Sequence, residues 1–226
     1  MRLYLSNAID FVRSRMDELS YNNDDMIVPA DDDRNFDNTV EKLLPEAAEF
    51  VYRAAPASVL EPQEEIAVPA PGTQVAGILS SELRRDGSIA VTIDLSGGFL
   101  RLVSFKAEDS DIPVSDIVAF DSQTARMQMN PYTRGTYDAP VVVGRKTPRR
   151  LHLAYYSVRD PEAGSGFVIA KIDKPSFSTD SDGKNIFCPD FLSLAVLNRL
   201  TGMVLETYGS LQQAQAFYQK SATYYA

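Results

Sequence analysis

The hydrophobic period changes twice along the chain, and this constrains the fold more than any other feature of the sequence. Ile9, Val12, Met16 and Leu19 recur at three- and four-residue steps, which marks one face of a helix. Ser6 is placed to cap that helix, with Arg13, Asp17 and Glu18 on its outer face. Asn38 and Glu41 form a capping-box pattern, and Val40, Leu43, Ala47, Val51 and Ala54 then stripe a second helix that ends near Pro56. Pro45 interrupts the stripe, so either the helix kinks there or a separate helix starts with Pro45 in its first turn. The helical period returns beyond Phe177. Pro189, at a first helical position, opens a run from Phe191 to Leu205 that is apolar on nearly all sides. Such a helix must be enclosed, either at the centre of the fold or where subunits meet. Gly209 stops it, Ser210 with Gln213 forms another capping box, and Leu211, Ala214, Tyr218, Ser221 and Tyr225 stripe a final helix.

Between these ends the period is two. Pro62, Pro69 and Pro71 mark Glu61 to Gly72 as a stiff extended linker. Ile89, Val91, Ile93 and Leu95 then alternate with Ala90, Thr92 and Asp94, between an Asp86-Gly87 turn and the Gly97-Gly98 pair. Strand-like runs are Gln74 to Leu83, Ile89 to Leu95, Phe99 to Lys106, Pro140 to Gly144, Arg149 to Tyr156 and Gly166 to Asp173, with Val114 to Met129 read as helical. The fold class expected from this order is α+β: N- and C-terminal helices form a helical bundle, with a small antiparallel β domain inserted. The corresponding segments are 1–60 with 186–226, and 73–175.

Charge is distributed unevenly. Residues 1–70 carry 15 acids and 6 bases, so the net charge of −9 resides in the first third, with Asp24, Asp25, Asp31, Asp32 and Asp33 crowded into the Tyr21 to Asp33 stretch. That stretch is read as a mobile connector. From Arg126 to Arg150, six basic residues face the single Asp138. An acidic end and a basic middle can attract each other between copies, or can simply be a solvated surface of uneven charge. The overall negative charge opposes polyanion binding, and DNA is discounted as a specific ligand. Met1 to Ser20 has charges set through its apolar positions and is expected to be neither a signal peptide nor a membrane span.

Chemistry-bearing residues are sparse. The single cysteine, Cys188, and the single histidine, His152, exclude a disulfide framework within the chain, a cysteine zinc site and a multi-histidine metal centre, and no cofactor or metal is expected. Alternation places His152 opposite Leu151, Leu153 and Tyr155, with no partner evident for acid–base work. Asp180, Asp182 and Gly183 have the middle of a calcium loop but not its register, because Ser178 and Pro189 stand where acids are required. Gly164-Ser165-Gly166 reads as a hairpin loop. Tyr208, Phe217, Tyr218, Tyr224 and Tyr225 load the last turns of the chain with rings suited to anchoring an interface or to closing a core. Together with Arg145, Lys146, Arg149 and Arg150 they are the candidate partner-binding residues.

Two N-terminal helices, a β insertion after a proline linker and a hydrophobic C-terminal helix pair resemble the head-to-tail connector (adaptor) proteins of tailed bacteriophages. The carrying segments are Asn38-Thr-Val-Glu-Lys-Leu-Leu-Pro-Glu-Ala-Ala-Glu-Phe-Val, Asn130-Pro-Tyr-Thr-Arg-Gly-Thr-Tyr-Asp-Ala-Pro-Val, and Phe191 to Lys220. Within that group the chain is most similar to the ring proteins of crAss-like phages. Small adaptors of the family are mostly helical, so the region from Gln74 to Asp173 departs from their pattern. The resemblance implies a structural virion protein and not an enzyme. It implies a dodecameric ring of the tail and connector, assembled in the bacterial host cytoplasm, whose C-terminal helices dock on the portal. Partners would be further copies, the portal protein and neighbouring tail ring proteins, with DNA passing through unbound and no membrane involved. The rival expectations are an enzyme, or a monomeric binding module, with a carboxylate-lined site in the β region.

Overall fold

The computed structural model describes residues 2–22, 33–108, 110–156 and 166–225. Among them the chain forms eleven strands in three sheets and five helices. It divides into two compact units, one of Met1–Leu60 with Lys174–Ala226 and one of Glu61–Asp173.

In the first unit β1 (Arg2–Tyr4) runs directly into α1 (Leu5–Asn22), so Ser6 lies within the helix and not at its cap. The α2 helix (Asp33–Ala54) likewise contains Asn38 and Glu41, and it passes through Pro45 as one element. The proline has no N–H, which leaves the Glu41 carbonyl without its helical donor. Val40, Leu44, Ala47, Val51 and Ala55 form the fully buried stripe of this segment. Pro189 precedes a 3-10 turn (Asp190–Leu192), from which α4 (Ser193–Thr207) continues. The α4 helix packs on α1, α2 and α5 (Leu211–Ala222), burying Ala195, Val196, Leu200 and Val204. Gly209, at φ +84°, turns the chain between α4 and α5, and Ser210 makes no side-chain cap. A hairpin of β10 (Ser178–Asp180) and β11 (Gly183–Phe187) accepts β1 as its third strand, in the order β1-β11-β10.

The second unit holds β2 (Glu64–Val68), β3 (Ile78–Leu83), β4 (Ile89–Asp94), β5 (Phe99–Ala107), β6 (Ile117–Ala119), α3 (Gln123–Met127), β7 (Val141–Lys146), β8 (Arg150–Tyr156) and β9 (Phe167–Asp173). Its sheets are β2-β9-β5 and β3-β4-β8-β7-β6. They share one core in which Phe105 stacks on Tyr155 at 4.8 Å and on Phe167 at 5.2 Å between ring centroids. Burying each such ring contributes about 2–3 kcal/mol.

The expected arrangement of a terminal helical bundle carrying a small inserted antiparallel β domain is therefore corrected: the fold is mixed α/β, with strands forming most of the core. Three differences account for this. The terminal segments contribute a sheet of their own, because β1 finds β11 across nearly the whole chain. The expected linker holds β2, whose Ile66 and Val68 are buried while Glu65 and Ala67 are exposed. Its flanking prolines, Pro62 and Pro69, fall outside this edge strand and cost it no ladder bond. The expected helix from Val114 to Met129 is β6, paired parallel to β7, followed by the short α3.

Candidate functional site

The outer face of the five-stranded sheet is set by strand alternation. Where Leu151, Leu153 and Tyr155 point into the core, His152 and Ala154 point out, and cross-strand register aligns His152 with Thr92 on one side and Arg145 on the other. The His152 Nδ1 lies 3.2 Å from the Thr92 hydroxyl, and the imidazole is exposed. Part of this face is covered by the segment from Phe120 to Pro140 that follows β6. Ala125 and Val118 pack on Val143, Tyr156, Val141 and Ala154.

That covering segment is held by its own polar groups. Ser122 caps α3 by accepting the Ala125 N–H at 3.1 Å. Gln128 is buried and uses both ends of its amide, donating to the Thr124 carbonyl at 3.0 Å and accepting the Gly135 N–H at 2.7 Å. Gly135 is pressed against the sheet so closely that a Cβ would lie 2.7 Å from the Tyr156 carbonyl oxygen and 2.9 Å from the Val141 nitrogen. Arg134 donates to the Asp86 carbonyl. Burial pushes the Asp86 carboxyl up, but hydrogen bonds from Ser88 and the charges of Arg134 and Arg84 outweigh it and hold the group below its ordinary value. The wall is thus fixed at both ends.

Between wall and sheet runs an open groove of about 790 Å³. Its charged lining is Arg84, Arg126 and Arg145 against Asp121, with His152 beside them. Its apolar lining includes Phe120, 55 % exposed, and Met129, 73 % exposed. A second groove of about 720 Å³ shares Phe120, Asp121 and Arg145 with the first and extends past Lys146 to Phe99 and Leu100 of β5. The Arg145 guanidinium lies 5.7 Å from the Phe120 ring centroid, and Lys146 Nζ lies 6.0 Å from that of Phe99. Arg84 reaches Glu82 at 3.5 Å, while Arg126 and Arg145 meet no carboxylate among the described residues. Cations that meet no carboxylate among the described residues, beside exposed apolar side chains, make a surface suited to gripping an acidic, partly apolar chain.

Of the basic residues singled out from sequence, Arg145 and Lys146 line these grooves. Arg149 and Arg150 are exposed at the β7–β8 turn, where Arg150 faces Asp94 across the ladder. Arg84, Arg126, His152, Phe120 and Met129 were not among the candidates. Arg126 opens the basic run and His152 is the single histidine, whereas nothing local in the sequence singles out Arg84, Phe120 or Met129.

The candidate rings are in the first unit, all of them partly buried. Tyr208 stacks on Phe36 at 6.5 Å. Tyr218 covers Gly202, where a Cβ would overlap its ring, and donates its hydroxyl to Glu206. Burial, together with the bond to Glu206 and its charge, pushes the Tyr218 hydroxyl up to about 12. Arg199 is held between two rings, 3.7 Å from the Phe50 centroid and 4.0 Å from that of Tyr218. Ser221 is buried and donates to the Ala195 carbonyl at 2.7 Å. Phe217 lies on α5, and Tyr224 and Tyr225 follow it. Phe191, Leu194 and Leu211 are exposed on the same unit.

The remaining candidates do not assemble into a site. Asp180 accepts from Arg2 at 2.6 Å, Tyr4 at 3.2 Å, Asn185 at 2.9 Å and the Asp182 N–H at 2.9 Å, so its carboxylate serves the small sheet and the turn between β10 and β11. Cys188 is buried. Among the described residues no group of three His, Cys, Asp or Glu could hold a metal ion, and no helix is long and apolar enough to cross a membrane. Most of the Tyr21 to Asp33 stretch, and Gly164-Ser165, lie outside the described residues. No protein-family model and no curated protein matches the chain.

Proposed function

We propose that the chain is a structural subunit that works by docking onto copies of itself and onto neighbouring proteins, in the manner of a head-to-tail connector ring below a phage portal. The observation that carries this reading is the open groove of the second unit, where Arg126 and Arg145 meet no carboxylate among the described residues and stand beside exposed Phe120 and Met129. The lining sets three arginines against one acid, Asp121, and the His152 Nδ1 lies beside the Thr92 hydroxyl at 3.2 Å, a balance weighted towards holding an anionic partner. A ring closed by head-to-tail contacts needs two unlike surfaces on each copy, and an acid-rich first third with a cation-lined groove supplies them. In this reading the ring is dodecameric and forms part of the virion. Its net charge of −9 lets DNA pass without being held.

Light scattering on the purified chain over a wide concentration range, with negative-stain images of the largest species, tests the reading. Closed rings, or a stable complex with a portal or tail ring protein, are the expected result. A chain that stays monomeric throughout and binds neither class of protein overturns it.

A further inference from the structure

We infer that the groove of the second unit receives the acidic stretch 23–32 of another copy of the chain. This rests on the self-docking reading above and names the contact that would carry it. The groove presents two exposed apolar side chains, Phe120 and Met129, among Arg84, Arg126 and Arg145. The stretch Asn23-Asp-Asp-Met-Ile-Val-Pro-Ala-Asp-Asp has the reciprocal layout, with Met26, Ile27 and Val28 between Asp24-Asp25 on one side and Asp31-Asp32 on the other. Apolar residues at the centre with charges at both margins are the usual layout of a docked segment, and here the signs are complementary. An extended residue spans about 3.3 Å, so the six steps from Asp25 to Asp31 cover about 20 Å, the reach of a linear epitope. Pro29 is compatible with an extended conformation and has no N–H that would need a partner.

A nucleic-acid strand would use the same arginines through its phosphates but would have no need of Met26, Ile27 and Val28. The match of apolar with apolar, together with the overall negative charge of the chain, favours the peptide.

The test uses a labelled synthetic peptide of residues 21–34 titrated onto the full chain, read by fluorescence anisotropy at low and high salt. Binding is expected, weakened by salt, and weakened at least about tenfold when the five aspartates are replaced by asparagine. The receiver carrying Arg126→Glu and Arg145→Glu should lose binding by at least about tenfold. These side chains are exposed, so its circular dichroism and urea midpoint should match those of the unaltered chain. Binding should return when that receiver meets a peptide with lysine at 24, 25, 31 and 32, a rescue that a misfolded receiver could not give. A Phe120→Ser receiver should weaken the unaltered peptide with little change in its salt dependence.

Peptide binding unaffected by the arginine substitutions overturns the inference, as does displacement of the peptide by equimolar oligo-thymidine. Assembly of the full chain that survives replacement of Asp24, Asp25, Asp31 and Asp32 by asparagine also overturns the inference, yet leaves the structural reading standing. Absence of both assembly and peptide binding overturns the two together.

Discussion

The two units of the chain use their arginines and rings in opposite ways. In the first, the Arg199 guanidinium lies between Phe50 and Tyr218, Tyr218 donates to Glu206, and Lys184 reaches Glu41 at 2.6 Å, so these charged groups and rings are engaged by their own neighbours. In the second, Arg126 and Arg145 project beside a hydrogen-bonded wall with no acid among the described residues to meet them. Charge and aromatic content alone do not mark a docking surface, because the first unit has plenty of both. What marks it is cationic side chains that stand beside exposed apolar ones and meet no carboxylate among the described residues. On that criterion the groove outranks the C-terminal rings, two of which, Tyr208 and Tyr218, are already stacked or bonded within their own unit.

The largest test acts on the core beneath the groove. Phe105→Ala removes the ring stacked between Tyr155 and Phe167 and should cost about 4 kcal/mol in urea unfolding, with peptide or partner binding lost at the same time. A groove that kept its partner after that loss would not depend on a rigid sheet. The next test sets one arginine against another. Arg199→Ala should destabilise by about 2 kcal/mol, since it empties a two-ring clamp, while Arg145→Ala should stay within about 0.5 kcal/mol. Equal effects on thermal midpoint would erase the contrast between the units.

A smaller effect of opposite sign is expected at Tyr155, whose buried hydroxyl has no hydrogen-bond partner among the described residues. Tyr155→Phe should raise stability by up to about 1 kcal/mol, measured by the same urea titration, and a loss would mean that the hydroxyl has an acceptor. The smallest effect is in alkali. The Tyr218 hydroxyl titrates near 12 in the folded chain against an ordinary 10, so its contribution is complete below pH 10 and disappears as pH rises through about 12. Urea midpoints taken across that range should fall less steeply for Tyr218→Phe than for the unaltered chain, and parallel slopes would count against the Tyr218–Glu206 bond.

Elements that bury one face against local neighbours were legible in the sequence. Val12 and Met16, Val40, Ala47 and Val51, and Ile89, Val91 and Ile93 are buried with the periods of helix, helix and strand respectively. Elements defined by what they pair with were not. The β1 and β6 strands are three residues each, too short to show a period, and they exist only because β11 and β7 offer a ladder edge. A short strand has little stability until a distant partner supplies its hydrogen bonds, and a window of sequence does not contain that partner. Pairing also decided the candidate site, since the register of β4, β7 and β8 aligns Thr92, His152 and Arg145 on one outer face.

By itself the sequence determined the positions of the longer helices and strands, the acidic first third and the basic run from Arg126 to Arg150, because periodicity and charge are properties of neighbouring residues. Tertiary structure alone decided that β1 and β11 share a sheet, that Gln128 and Gly135 hold a wall over the outer strands, and which arginines meet no acid among the described residues. Each of these depends on side chains far apart in sequence meeting or failing to meet, and only the folded chain settles that.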